Sequence, residues 1–303
     1  MDGVIYRRFC DIAGSDCVLV DEPMKKHTTF RIGGPADCFI CPDTKEKLSQ
    51  VLTLCREEGI PFFILGNGSN LLVSDQGYRG VIIQIYKNFQ QTDIEGEHIR
   101  AGAGILLSRL ASLAAGAGLT GLEFASGIPG TLGGAVFMNA GAYGGEMKDV
   151  LTGVTVLDQE GRFCHLKAEE LQLGYRTSLV KEKGWIVTEA ELKLAPGDPE
   201  KIRERMEELK EARCSKQPLE FPSAGSTFKR PEGFFAGKLI MDAGLRGLRV
   251  GGAMVSEKHC GFVINAGDAT ADDVRRLMGQ IQDAVWDKFQ VHLEPEVRFL
   301  GEF

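Results

Sequence analysis

Glu123-Phe-Ala-Ser-Gly-Ile-Pro-Gly-Thr-Leu-Gly-Gly-Ala-Val-Phe-Met-Asn-Ala-Gly-Ala-Tyr-Gly-Gly145 is the least ordinary stretch of this chain. It is too apolar for a solvated linker, and its glycines alternate with small and apolar residues. From Gly118 to Gly145 there are nine glycines in 28 residues, without a repeat period. Losing the Cβ lets backbone lie flat against another body, either a large planar ligand or a tightly packed loop of the same chain. The segment alone leaves both readings open.

Upstream, Gly66-Asn-Gly-Ser-Asn70 turns the chain between two apolar runs, Pro61–Leu65 and Leu71–Val73. Its glycines free the backbone to point N–H groups inward as a nest for phosphate oxygens, although an ordinary hairpin uses the same residues. It is neither G-x-G-x-x-G opening a helix nor a P-loop. Asp43 with Glu46 opens a helical pattern whose apolar face is Leu48, Val51, Leu52 and Cys55, stopped by Gly59. Val81–Ile85 reads as a strand, as do the stretches around Val154–Val156, Arg162–Cys164 and Trp185–Val187. A helical stretch near Glu169–Leu173 and a turn at Asp158–Gly161 lie among them. Asp198 and Pro199 start a charged helix to about Arg213, and a domain boundary is expected there. A last helix starts at Thr270 and Asp273 with Val274, Leu277, Met278, Ile281 and Val285 as its stripe; Glu296–Leu300 reads as the final strand. The material is α+β.

The 303 residues suffice for two or three packed units, and 43% hydrophobic with 25% charged residues excludes a disordered, collagen-like or coiled-coil chain. A net charge of -7 argues against general nucleic-acid binding. No run of 18 apolar residues and no signal-peptide pattern appears, so a cytoplasmic protein without membrane insertion is expected. The eight cysteines read as free thiols, and Cys38-x-x-Cys41, with no second ligand pair, reads as strand packing rather than a metal site. His27, His98, His165, His259 and His292 are scattered without metal-ligand spacing, and His259 reads as structural.

Six motifs in order, Thr28–Asp37, Leu65–Leu72, Gly127–Gly134, Tyr175–Ser178, Ala224–Lys229 and Glu294–Arg298, make the chain similar to the UDP-N-acetylenolpyruvoylglucosamine reductase family, flavoenzymes of peptidoglycan precursor synthesis. The resemblance implies a two-subdomain FAD-binding fold of the covalent-flavin-oxidase type plus a C-terminal α+β substrate-binding domain. The expected boundaries are 1–84 with 293–303, 85–196 and 197–292. It implies NADPH as electron donor, UDP-N-acetylglucosamine enolpyruvate as substrate, and both nucleotides using one site in turn. Flavin contacts carry over to Gly66, Asn67, Gly68, Ser69 and Asn70 at the diphosphate, and to Gly127, Ile128, Gly130, Thr131, Gly133 and Gly134 along the cofactor. Asn67 and Ser69 flank Gly68 with no histidine in the motif, so the FAD is expected to be non-covalent.

Reducing an enol ether by hydride needs a cation for the enolate-like species and an acid to protonate it. By resemblance these tasks fall to Arg176, Ser226 and Glu296. Read singly, the three are a turn cation, a turn hydroxyl and an edge carboxylate. From Glu211 to Cys260, eight Lys and Arg against five acids make a local basic field suited to a diphosphate. Lys216 and Lys229 are the expected substrate contacts. No tyrosine lies between Tyr175 and Ser226, so the chain resembles the shorter class of the family, without its tyrosine-bearing lid. A monomer or weak oligomer is expected. The rivals are a flavin oxidase of the same fold and a non-catalytic FAD or UDP-sugar binding module.

Overall fold

The computed structural model describes residues 2–303. In chain order the elements begin with α1 (Gly3–Ala13), β1 (Val18–Pro23), β2 (Pro35–Ile40), α2 (Lys45–Glu57), β3 (Phe62–Leu65), β4 (Leu71–Val73), β5 (Tyr78–Gln84), β6 (Thr92–Glu95) and β7 (His98–Gly102). The helices that follow are α3 (Leu107–Gly116), α4 (Leu132–Met138), α5 (Leu179–Lys183), α6 (Pro199–Lys216), α7 (Ala236–Asp242) and α8 (Ala271–Phe289). They divide into two compact units: one holds the N-terminal stretch to Leu19, Cys38–Asn67 and Gly80–Arg213, the other Val20–Asp37, Gly68–Arg79 and Cys214–Phe303. The chain changes unit within β1, β2 and β5, between Asn67 and Gly68, and within α6 between Arg213 and Cys214.

Two sheets carry most strands of the first unit, and β1, β2 and β5 of one of them also hold residues assigned to the second. One has the order β1-β2-β5-β3, with β3 parallel to β5. The other is antiparallel, ordered Phe163–Lys167, Leu151–Leu157, Ile186–Lys193, β7, β6. α2 explains itself from its sequence. Thr44, rather than Asp43, accepts from Lys47 N at 3.1 Å as the N-cap, because its hydroxyl sits at the residue where the backbone is still extended. Its Leu48, Val51, Leu52 and Cys55 are buried as the 3.6-residue period requires. Cys38 is buried in β2 in the same core, and burial pushes its thiol up to about 12. The stretch after Lys167 makes only a short 3₁₀ turn, Ala168–Leu171, ended by Gln172 in the left-handed region.

In the second unit, α8 packs Val274, Leu277, Met278, Ile281 and Val285 into a core shared with Phe30, Ile32, Leu72, Phe228 and Val255. Burying each such side chain contributes about 1.5–3 kcal/mol. An antiparallel three-stranded sheet joins Arg249–Val250, Ala253–Val255 and Val263–Asn265. The last strand is Arg298–Leu300, parallel to β4, and is shorter than the alternation from Glu296 predicts. Pro295 instead bridges to Phe228, so Glu296 belongs to a different pairing. Among the described residues no helix is long and apolar enough to cross a membrane.

Candidate active site

Within the first unit, the two glycine-rich segments meet. Asn67 Nδ2 donates to the carbonyl of Pro129 at 2.7 Å, and Gln84 Nε2 donates to the carbonyl of Gly66 at 3.2 Å. A Cβ on Gly66 would collide with the hydroxyl of Thr131. Thr131 is itself buried and caps α4. Gly130 accepts from Leu107 N at 3.0 Å and Gly133 donates to Ala103 at 2.8 Å, where a Cβ on Gly133 would approach that of Ala103 to 2.9 Å. Gly127 would meet Arg213 Nε at 2.9 Å. Gly134 follows in the first turn of α4, beside the Thr131 hydroxyl that it bonds at 3.4 Å. Gly66, Gly127 and Gly133 thus leave no room for a Cβ against Thr131, Arg213 and Ala103 of the same chain, and the two segments make one cradle of closely set backbone. This packing fixes the course of the backbone at the expected flavin contacts Gly66, Asn67, Gly127, Ile128, Gly130, Thr131, Gly133 and Gly134.

In the second unit, Gly68 takes φ 62°, and a Cβ there would strike the carbonyl of His27. Ser69 and Asn70 complete the turn into β4. Asn70 Nδ2 donates to the carbonyl of Glu296 at 3.1 Å, and Asn70 O accepts from Arg298 N at 3.1 Å. Ser226 follows Gly225, whose φ of 76° turns the chain. Next to it, Thr227 O accepts from Glu296 N at 2.9 Å, and Lys229 N donates to Glu294 O at 2.8 Å. Thr227 Oγ1 also accepts from Val263 N at 2.8 Å. The segments carrying Ser226 and Glu296 are thus paired backbone to backbone, with Ser226 left exposed. Lys229 Nζ holds the Glu294 carboxylate at 2.8 Å and keeps it below the usual carboxylate range. Lys216 is the exposed last residue of α6.

Arg176 belongs to the first unit, on a tight turn closed by Gly174 and Thr177, which exchange hydrogen bonds at 3.1 and 3.3 Å. Its φ is 56°, a left-handed conformation unusual for a residue with a long side chain. Its guanidinium lies 5.2 Å from the Tyr175 ring centre, and its carbonyl accepts from Lys181 Nζ at 2.9 Å. Strain of this kind at a candidate catalytic position is consistent with a held geometry. Sequence reasoning missed the residues that hold this turn: Asn139, whose side chain donates to Gly174 O at 3.1 Å, and Ser178, whose hydroxyl donates to Phe137 O at 2.8 Å. Asn139 lies inside the glycine-rich stretch, and its amide among the apolar neighbours Phe137, Met138 and Ala140 is the signal that the sequence offers.

The two sheets and the glycine-rich segments belong to an FAD-binding domain, and a further C-terminal domain follows it. Residues 36–167 match the family described as FAD binding domain, and residues 217–300 match UDP-N-acetylenolpyruvoylglucosamine reductase, C-terminal domain. The chain is 53% identical over 297 residues to UDP-N-acetylenolpyruvoylglucosamine reductase of Alkaliphilus oremlandii, covering 98% of each chain. It is 52% identical over 298 residues to that of Clostridioides difficile, again covering 98% of each. The crystal structure of UDP-N-acetylenolpyruvylglucosamine reductase from Thermus caldophilus is similar at a TM-score of 0.80 and 41% identity, covering 94% of this chain and 98% of that one. The chain belongs to the UDP-N-acetylenolpyruvoylglucosamine reductase family.

Proposed function

We propose that this chain reduces UDP-N-acetylglucosamine enolpyruvate to UDP-N-acetylmuramate with NADPH, in peptidoglycan precursor synthesis. Bound FAD, held without a covalent link, supplies the hydride transfer from NADPH to the enolpyruvyl group. Its expected contacts are Gly66, Asn67, Gly68, Ser69 and Asn70 at the diphosphate and Gly127, Ile128, Gly130, Thr131, Gly133 and Gly134 along the cofactor. Arg176 binds the substrate carboxylate and the negative charge that develops beside it, a task that suits a planar, permanently charged fork. Ser226 gives a proton to the carbon next to that carboxylate, and Glu296 orients the same network. Lys216 and Lys229 attract the diphosphate, with Lys229 exchanging its Glu294 partner for phosphate.

The observation that carries the reading is the pairing of Thr227 with Glu296, which sets an exposed serine beside a carboxylate-bearing segment. A flavin oxidase needs no such proton donor, and a pure binding module needs no acid at all. The reading divides the chain at 1–84 with 293–303, 85–196 and 197–292. It also places the enzyme in the cytoplasm, where NADPH and UDP-sugars are made, as a monomer or weak oligomer.

The test is an anaerobic visible spectrum. Bleaching of the flavin band by one equivalent of NADPH, and its recovery on adding UDP-N-acetylglucosamine enolpyruvate, is expected. Recovery only in air points to an oxidase, and a protein unable to take up FAD overturns the reading. Ser226→Ala should bleach at nearly the native rate and recover slowly.

A further inference from the structure

The turn that carries Arg176 is held by a buried polar network that none of the expected site residues includes. Asn139 ends α4 in the left-handed region, at φ 41°, and is 1% exposed. Its Nδ2 donates both hydrogens, to Glu146 Oε2 at 2.6 Å and to the carbonyl of Gly174 at 3.1 Å. Its Oδ1 accepts from Lys148 N at 3.0 Å. Both donors and the acceptor oxygen of the amide are thus engaged, which fixes the amide in one orientation. Glu146 is in turn tied to Lys148 Nζ at 2.9 Å. The Lys148 contact, the Asn139 amide and the nearby Arg176 charge together hold the Glu146 carboxyl below its ordinary range.

The other end of α4 is Thr131, inside the cradle and next to Gly66. One short helix therefore runs from the cofactor segment to the turn of Arg176, and Asn139 is the residue that makes the second join. We infer that Asn139 is a positioning residue for Arg176: it fixes the Gly174–Thr177 turn at a set distance from the cradle, so that the guanidinium meets the substrate carboxylate without reorganising. The inference rests on the role proposed above for Arg176.

A positioning role predicts a loss confined to ligands that carry the carboxylate. Asn139→Gly keeps the left-handed backbone and removes only the side chain. Calorimetric binding to the FAD-loaded protein without NADPH then compares UDP-N-acetylglucosamine enolpyruvate with UDP-N-acetylglucosamine, which lacks the enolpyruvyl carboxylate. The expected result is a Kd about tenfold higher for the first and within about twofold of native for the second, as for loss of one charge-assisted contact. In an Arg176→Ala background, Asn139→Gly should add less than about twofold.

Equal weakening of both nucleotides, no weakening of either, or an undiminished effect without Arg176 would overturn the inference. Asn139→Asp is the second variant. Its carboxylate cannot donate to Gly174 and repels Glu146, so it should show the same selective loss. If neither variant holds FAD, Asn139 serves folding alone and the inference fails. If the native protein binds no enolpyruvyl nucleotide, it is the proposed function that fails first.

Discussion

Asn70 donates its side-chain amide to the carbonyl of Glu296 at 3.1 Å and accepts at its own carbonyl from Arg298 N at 3.1 Å. One residue at the end of the expected phosphate turn therefore sets the backbone on both sides of Val297. Asn70→Ala removes the donor and should cost about 1 kcal/mol, read as a lower urea midpoint. Asn70→Asp turns the donor into a carboxylate facing a carbonyl and should cost more. Midpoints equal to native for both variants would mean that this hydrogen bond adds nothing.

Two glycines should respond to alanine with opposite signs. Gly68 lies at φ 62°, where an added Cβ would strike the His27 carbonyl, so Gly68→Ala should destabilise by at least about 2 kcal/mol. Gly279 lies inside α8 with nothing within 4 Å of an added Cβ. Gly279→Ala should stabilise by about 0.5–1 kcal/mol through helix propensity. Thermal unfolding of the two variants beside native protein decides both.

The start of α8 is a reciprocal cap: Asp273 N donates to Thr270 Oγ1 at 3.0 Å and Thr270 N donates to Asp273 Oδ2 at 3.1 Å. Gly252 N also donates to Asp273, at 3.2 Å. Burial alone would raise the Asp273 carboxyl, but these donors outweigh it and hold the group below its ordinary value. The unfolded state therefore binds the proton more readily. Stability from this residue is present above the unfolded pKa of about 3.9 and is lost as pH falls through the lower folded value. Thr270→Ala should lower stability by about 1 kcal/mol at neutral pH. Asp273→Asn should flatten the acid limb of the stability curve.

His259 works in the other chemical sense. Burial lowers its pKa, and its Nδ1 accepts from Gly261 N at 3.1 Å, a bond that the protonated ring cannot make. The unfolded chain binds this proton more readily, so stability rises with pH across the window below about 6.5. It is fully present above that value and falls on acidification. Urea midpoints at a series of pH values should show this slope in the native protein and a weaker one in His259→Gln. An unchanged slope in the variant would assign the dependence to other groups.

Local chemistry made much of the fold legible in sequence. The Thr270–Asp273 cap and the stripe from Val274 to Val285 predict α8 because cap and period both act within a few residues. The same logic finds α2, missing only that Thr44 rather than Asp43 is the cap. Alternation alone predicts Glu296 in the strand because it carries no record of partners; Pro295 pairs with Phe228, and the strand waits until Arg298. The candidate residues were legible through motifs, whereas the Asn139 network was not. Its members, Asn139, Glu146 and Gly174, are joined only by tertiary hydrogen bonds, and the left-handed backbone of Asn139 and Arg176 leaves no mark in composition.

The parallel register of Leu71–Val73 with Arg298–Leu300 sets a timetable for synthesis. A ribosome making this chain releases β4 early, yet among the described residues its partner strand in that sheet, Arg298–Leu300, emerges only after the whole stretch between them. Closing so long a loop carries a large entropic cost before any contact compensates for it. The second unit, drawn from three separated stretches of sequence, thus has no complete precursor at any earlier point of elongation. A fragment cut at the limits of the C-terminal family match would keep Arg298–Leu300 but lack β4, the strand it pairs with. Glu296 therefore meets Asn70 only after all the residues between them have been made, which ties the joining of these two segments to synthesis of the long stretch that separates them.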